Sequence, residues 1–171
     1  MNRILQRLKE IPISLKTIEE YCPDNVRVLL YDRIPSSKQQ FFGGKDAVII
    51  FYEMHDATGQ AKNTTGHFSL VVNGTRPKYW SSYGFPPEKE ISLTHSKGKL
   101  LRILGQHDWN KTRYQKIKHT NTCGLHVLAR SYLLDFTEDQ YRKLMMRRVV
   151  LQSADLIVCI MCLILVRKEL Q

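Results

Sequence analysis

Blocks of apolar residues alternate with polar ones along this chain, and the period inside each block predicts its element. Ile4, Leu5 and Leu8 fall at helical spacing and predict a helix over 2–10. Ser14, followed by Thr17, Ile18, Glu19 and Glu20, reads as the start of a second helix, stopped by Pro23. Val26–Tyr31 (VRVLLY) and Ala47–Tyr52 (AVIIFY) read as strands, separated by a loop over Asp32–Gln40 and a Gly43-Gly44 turn. The polar stretch 54–66 reads as a loop before a third strand, His67–Val72. Asn73-Gly74 is a hairpin signal, with Lys78–Ser81 as the partner strand, ended by Gly84 and Pro86-Pro87. Leu100, Leu101 and Leu104 predict a helix within 96–105, and Arg113–Ile117 reads as a short strand. Gly124–Leu134 and the region from Thr137 to about Val166 carry helical apolar patterns.

This order predicts an α+β fold, a small mixed β-sheet flanked by helices. No internal repeat or linker is visible. The expectation is one domain over 1–171, with the C-terminal helices 137–166 packed on the core.

Composition narrows the setting. The chain has 171 residues, 43% of them hydrophobic, which excludes a disordered or low-complexity chain. Four scattered cysteines (Cys22, Cys123, Cys159, Cys162) are too few for a disulfide scaffold and imply reduced thiols. Residues 1–10 lack the apolar run of a secretory signal. The most apolar stretch, Ala154–Val166, includes Asp155 and falls short of the ~20 residues a bilayer span needs, so it reads as a buried helix. The cytoplasm, a nucleus or a virion interior is the expected location, and no membrane contact is expected. Cys159 and Cys162 form a C-x-x-C spacing inside this apolar run, with no second ligand pair, and read as core residues rather than a metal site.

Charge adds a partner. Lys and Arg number 26 against 16 acids, a formal charge of +10. Between Arg76 and Lys118 ten basic residues face three acids, so that segment alone carries +7. A solvated basic face and a surface for a polyanion fit it equally well.

Candidate chemistry starts at Cys123. Gly124 and an amphipathic helix follow it, which places its thiol beside unsatisfied backbone N–H groups at a helix start. Such a position favours the nucleophilic thiolate and supplies donors for an oxyanion. Gly124 is expected to leave room for substrate. A thiol nucleophile needs an imidazole partner, and His67, at a strand start after a polar loop, can face a cleft. His119 and His126 are nearer Cys123 in sequence, but His126 should leave the helix on another side.

The ordered set GHFSLVV, YWSSYGFPP and NTCGLHVLARSYL resembles the adenovirus-type maturation proteases, with their relatives in large DNA viruses and Maverick/Polinton elements. The likeness runs from Val26 to Leu134. It implies a papain-like fold shared with ubiquitin-like-protein-specific proteases, with the nucleophile at a helix N-terminus. Residue by residue, it implies Cys123 as nucleophile and His67 as base, with Phe68 where the family usually has Trp. It implies Gln115 as the oxyanion-hole amide, eight residues before Cys123 where the family has six or seven. The family places an acid where this chain has Ser81. Ser81 then takes the orienting position, able to accept a hydrogen bond from the ring but supplying no charge. An Asp at 81 is therefore expected to raise the rate.

The implied activity is a cysteine endopeptidase acting on polypeptide precursors, viral structural proteins during virion maturation, as a monomer with no metal and no required cofactor. DNA is the implied activating polyanion, on a basic stripe of Lys97, Lys99, Arg102, Lys111, Arg113, Lys116 and Lys118. Two rivals stand beside it. One is an isopeptidase for ubiquitin or a ubiquitin-like modifier, using the same residues. The other is a catalytically decayed protease fold that binds nucleic acid, for which the missing acid is the main argument.

Overall fold

The computed structural model describes residues 13–55, 61–93, 98–115, 121–146, 157–159 and 161. The expected helix at 2–10, Cys162 and most of the apolar run 154–166 lie outside the described residues.

The elements in chain order are α1 (Leu15–Tyr21), β1 (Val26–Leu30), α2 (Lys38–Phe42), β2 (Ala47–His55), β3 (Ala61–Val72) and β4 (Lys78–Trp80). They continue with α3 (Pro87–Leu93), α4 (Lys99–Leu104), β5 (Asp108–Trp109), α5 (Cys123–Ser131) and α6 (Glu138–Met145). A 3-10 turn, Tyr31–Arg33, follows β1. The five strands form one mixed sheet in the order β1-β2-β3-β4-β5. β1 and β2 run parallel, β2–β3 and β3–β4 antiparallel, and β4–β5 parallel. The α+β class is therefore as the residue pattern predicts.

Caps fix the helix starts. The Ser14 side chain accepts from Thr17 N, and Ser37 accepts from Gln40 N. Thr137 and Gln140 form a reciprocal capping box on α6. Four expectations change. The segment 61–66 extends β3 instead of forming a loop. A helix, α2, stands inside the stretch 32–42 because Ser37 caps it. Arg113–Ile117 contributes no strand at residues 113–115; the edge strand is Asp108–Trp109. Pro86-Pro87 does not merely end a strand. Pro87 opens α3, a position where its missing N–H costs nothing.

Strand alternation builds a core on each face of the sheet. Ala47, Ile49, Phe51, Phe68, Leu70 and Trp80 face α1, α5 and α6, where Ile18, Val127, Leu128, Tyr141 and Met145 are buried. Val48, Ile50, Tyr52, Val71 and Tyr79 face Phe41, Phe42, Ile91, Leu100 and Leu104. Burying each such side chain contributes roughly 1.5–3 kcal/mol. Tyr141, Met145 and Val158 belong to the first core. Among the described residues no helix is long and apolar enough to cross a membrane.

The short β4 positions the site. On β3 it pairs only with Leu70–Val72. Beyond Leu70, toward Phe68 and His67, the edge of β3 is not covered by β4. The two faces meet there.

Candidate active site

His67 and Phe68 are neighbours on β3 and point to opposite faces. Phe68 packs in the first core, against α5. His67 lies across from Tyr52, on the second face. Gly66 precedes it because Phe51 leaves no room there: a Cβ at 66 would lie 2.0 Å from Phe51 Cε2.

Cys123 is the first residue of α5 and is buried, 8% exposed. Its sulfur lies near enough to the His67 ring to act on the charge of the imidazole. Gly124 lets the helix start sit on the sheet. A Cβ there would lie 3.2 Å from Phe68 Cδ2 and 2.0 Å from Ile13 Cγ2. This corrects the expectation that Gly124 opens space for substrate: Phe68 and Ile13 occupy that space. Thus Phe68 seats the helix that carries Cys123, while its neighbour His67 lies near the thiol.

The other ring nitrogen meets an acid absent from the sequence reading. His67 Nε2 lies 2.8 Å from Glu90 Oε1, and Glu90 is 1% exposed. With Nε2 engaged by the carboxylate, Nδ1 is the nitrogen left for the thiol. Burial alone would depress the imidazole pKa. The Glu90 carboxylate and the Cys123 sulfur outweigh it and raise the pKa to about 10. The raised pKa favours the protonated ring beside the Glu90 carboxylate.

Two hydroxyls hold Glu90 from behind. Tyr79 donates to Glu90 Oε2 and Ser81 donates to Glu90 Oε1. Burial first, and then the Glu90 charge, pushes the Tyr79 pKa far up, so the phenol keeps its proton and remains a donor. Ser81, fully buried, thus sits one step further from the ring than expected: its hydroxyl goes to the acid. Replacing Ser81 with Asp would oppose two carboxylates, so the expected gain in rate becomes an expected loss. After Ser81 the chain turns at Gly84 (φ +69°), whose N–H donates to Ser81 O at 3.0 Å. A Cβ at 84 would lie 2.9 Å from the Thr112 backbone. This turn sets Tyr83 on the His67 ring, with centroids 4.8 Å apart and planes at 23°.

Gln115 is fully buried. Its Oε1 accepts from Ser82 Oγ at 2.7 Å, and its backbone N–H donates to Ser82 O at 3.0 Å. This assigns Nε2 as the donor end of the amide. Tyr114 packs with Trp80 (5.6 Å) and His126 (6.4 Å), so residues 114–115 run beside the first turns of α5. The His126 ring lies in that aromatic core, with Trp80 6.5 Å away. His119 lies outside the described residues, as do Lys97, Lys116 and Lys118 of the basic stripe. Lys99, Arg102, Lys111 and Arg113 are exposed, and Lys111 Nζ lies 5.2 Å over the ring of exposed Trp109. Trp80 and Tyr114 are core residues.

Sequence reasoning missed Glu90 and Tyr79. The available signal was Pro87-Glu88 after Pro86, a helix start with acids in its first turn. Among the described residues no group of three His, Cys, Asp or Glu side chains could hold a metal ion. No family model and no curated protein matches the chain.

Proposed function

We propose that the protein is a cysteine peptidase whose reacting pair is Cys123 and His67, oriented by Glu90. One observation carries the reading: a single imidazole, hydrogen-bonded to a buried carboxylate, lies beside a thiol at a helix start. The Cys123 thiolate attacks a scissile carbonyl. The Cys123 backbone N–H and Gln115 Nε2 are the donors for the oxyanion. His67 Nδ1 then gives its proton to the departing amine, leaving a thioester. Water, deprotonated by the same imidazole, hydrolyses the thioester and frees the thiol. Glu90 stabilises the imidazolium and fixes its orientation throughout.

The likeness to adenovirus-type maturation proteases supports a polypeptide precursor as substrate, in a viral assembly setting. The exposed Lys99, Arg102, Lys111 and Arg113 support an anionic accessory partner such as DNA, with binding that weakens steeply as salt rises. Glu90 removes the main argument for a decayed site, because the charge missing at Ser81 is supplied from α3.

A thiol-reactive peptide probe tests the reading. The expected result is labelling of Cys123 in the wild-type chain, lost in both Cys123→Ala and His67→Ala. A folded wild-type chain that resists labelling overturns it. Turnover of ubiquitin-like fusions, with none of precursor peptides, would replace the endopeptidase reading by the isopeptidase one.

A further inference from the structure

Four hydroxyl-bearing side chains behind the acid can be put in order. Glu90 Oε2 takes the Tyr79 proton. The Tyr79 and Tyr52 hydroxyls lie 3.1 Å apart, and Ser69 Oγ lies 3.3 Å from the Tyr52 hydroxyl and donates to it. A phenol has one proton. Since the Tyr79 proton is on Glu90, Tyr52 must donate to Tyr79. Ser69 then donates to Tyr52, and the chain runs Ser69→Tyr52→Tyr79→Glu90. Ser81 adds a separate donor on Oε1. Ser69, Tyr52, Tyr79 and Ser81 are all fully or almost fully buried, so no solvent competes for these bonds.

The need for such a chain follows from where Glu90 sits. It rides on α3, a helix of seven residues, and its carboxylate is sealed from water. A buried carboxylate without donors takes up a proton instead of staying charged. A neutral acid would still touch His67 but would no longer favour the imidazolium. Bonds aligned in one direction polarise one another, which strengthens the last of them.

We propose that Tyr79 is a positioning residue of the reaction: as the last member of a directed hydroxyl chain, and together with Ser81, it keeps Glu90 charged and aimed at His67. This rests on the reading of Cys123 and His67 as the reacting pair. Among the described residues, titratable groups that face Glu90 include His67 from β3, Tyr79 from β4 and Tyr52 from β2; Cys123 from α5 faces His67.

The test is the titration of the His67 ring by NMR in the full chain, without substrate, in Tyr79→Phe, Tyr52→Phe, Ser69→Ala and Ser81→Ala. Each removes a hydroxyl and little volume. The expected result is a drop in the His67 midpoint by about one pH unit in Tyr79→Phe. Tyr52→Phe gives a smaller drop and Ser69→Ala the smallest. With a peptide substrate, Tyr79→Phe lowers kcat about tenfold and leaves KM unchanged. An unchanged His67 midpoint in folded Tyr79→Phe overturns the proposal. So does a drop in Tyr52→Phe as large as that in Tyr79→Phe, because a directed chain must fade with distance. If Tyr79→Phe does not fold, Ser81→Ala carries the test, with the same expected drop and the same overturning result. The ring titration needs no turnover, so it can fail while peptide cleavage succeeds, and the reverse.

Discussion

The two faces of the sheet use aromatic residues differently. On the face toward α5 and α6, rings pack against rings. Trp80 stacks on Tyr114 at 5.6 Å, and Tyr141 meets both edge-on at 5.6 and 5.3 Å. On the other face, Tyr52 and Tyr79 are joined through their hydroxyls and end on a carboxylate. The first arrangement seats the helix that carries Cys123. The second sets the charge beside His67. The division is one of emphasis: Tyr31 stacks on Tyr52 at 5.0 Å on the second face, and Tyr114 donates to Glu138 Oε1 at 2.6 Å on the first, but only the second face sets a carboxylate against His67.

This division is open to direct attack. The largest effect is expected at the meeting point. Cys123→Ala or His67→Ala should cut peptide turnover by about 10⁴-fold or more, measured as kcat/KM. Cys123→Ala should leave the melting temperature little changed, while His67→Ala should lower it by stranding the buried Glu90 carboxylate. Next comes the packing face. Tyr141→Ala should destabilise the fold by about 3–5 kcal/mol in denaturant titration. The His67 titration of the folded fraction should stay as in wild type; a shifted midpoint would join the two cores that the comparison separates.

The electrostatic face should behave in the opposite way. Glu90→Gln keeps the shape and removes the charge, and should lower kcat about 100-fold. It should also move the basic limb of activity. The His67 pKa is raised from 6.5 to about 10, so the imidazolium needed by the leaving amine persists to about pH 10 and is lost above it. The stability that this pairing contributes is fully present below about pH 6.5 and disappears as pH rises through 10. In Glu90→Gln both limbs should fall to lower pH, read from kcat–pH profiles and from thermal melts across that window. The smallest effect is expected for Ser81→Asp, about a tenfold loss of rate from like-charge repulsion against Glu90. A gain in rate would place the acid's role at 81 after all.

Much of the fold is legible in the sequence because its signals are local. VRVLLY and AVIIFY form strands where their β-branched runs lie, and Ser14 and Thr137 cap the helices they precede. β5 is not legible, since two residues carry no period and pair only because β4 runs beside them. For the site, His67 and Cys123 stand out because thiol and imidazole chemistry narrows the choice of residues, and the structure brings the two side chains together. Glu90 does not stand out. It competes with Glu88 in the same short helix, and only the fold decides that Glu90 is sealed inside while Glu88 is half exposed. Gly124 has one residue type and two readings; contact with Phe68 and Ile13, far apart in the chain, separates them.

Pro87 has a consequence for how such a site can vary. It starts a helix soon after β4, and that helix returns a carboxylate to the ring from nine residues beyond Ser81. What the imidazole senses is where negative charge lies in space, and a side chain from a helix meets that requirement as well as one from a strand. Position 81 alone is therefore a poor guide to whether the charge is present beside the ring.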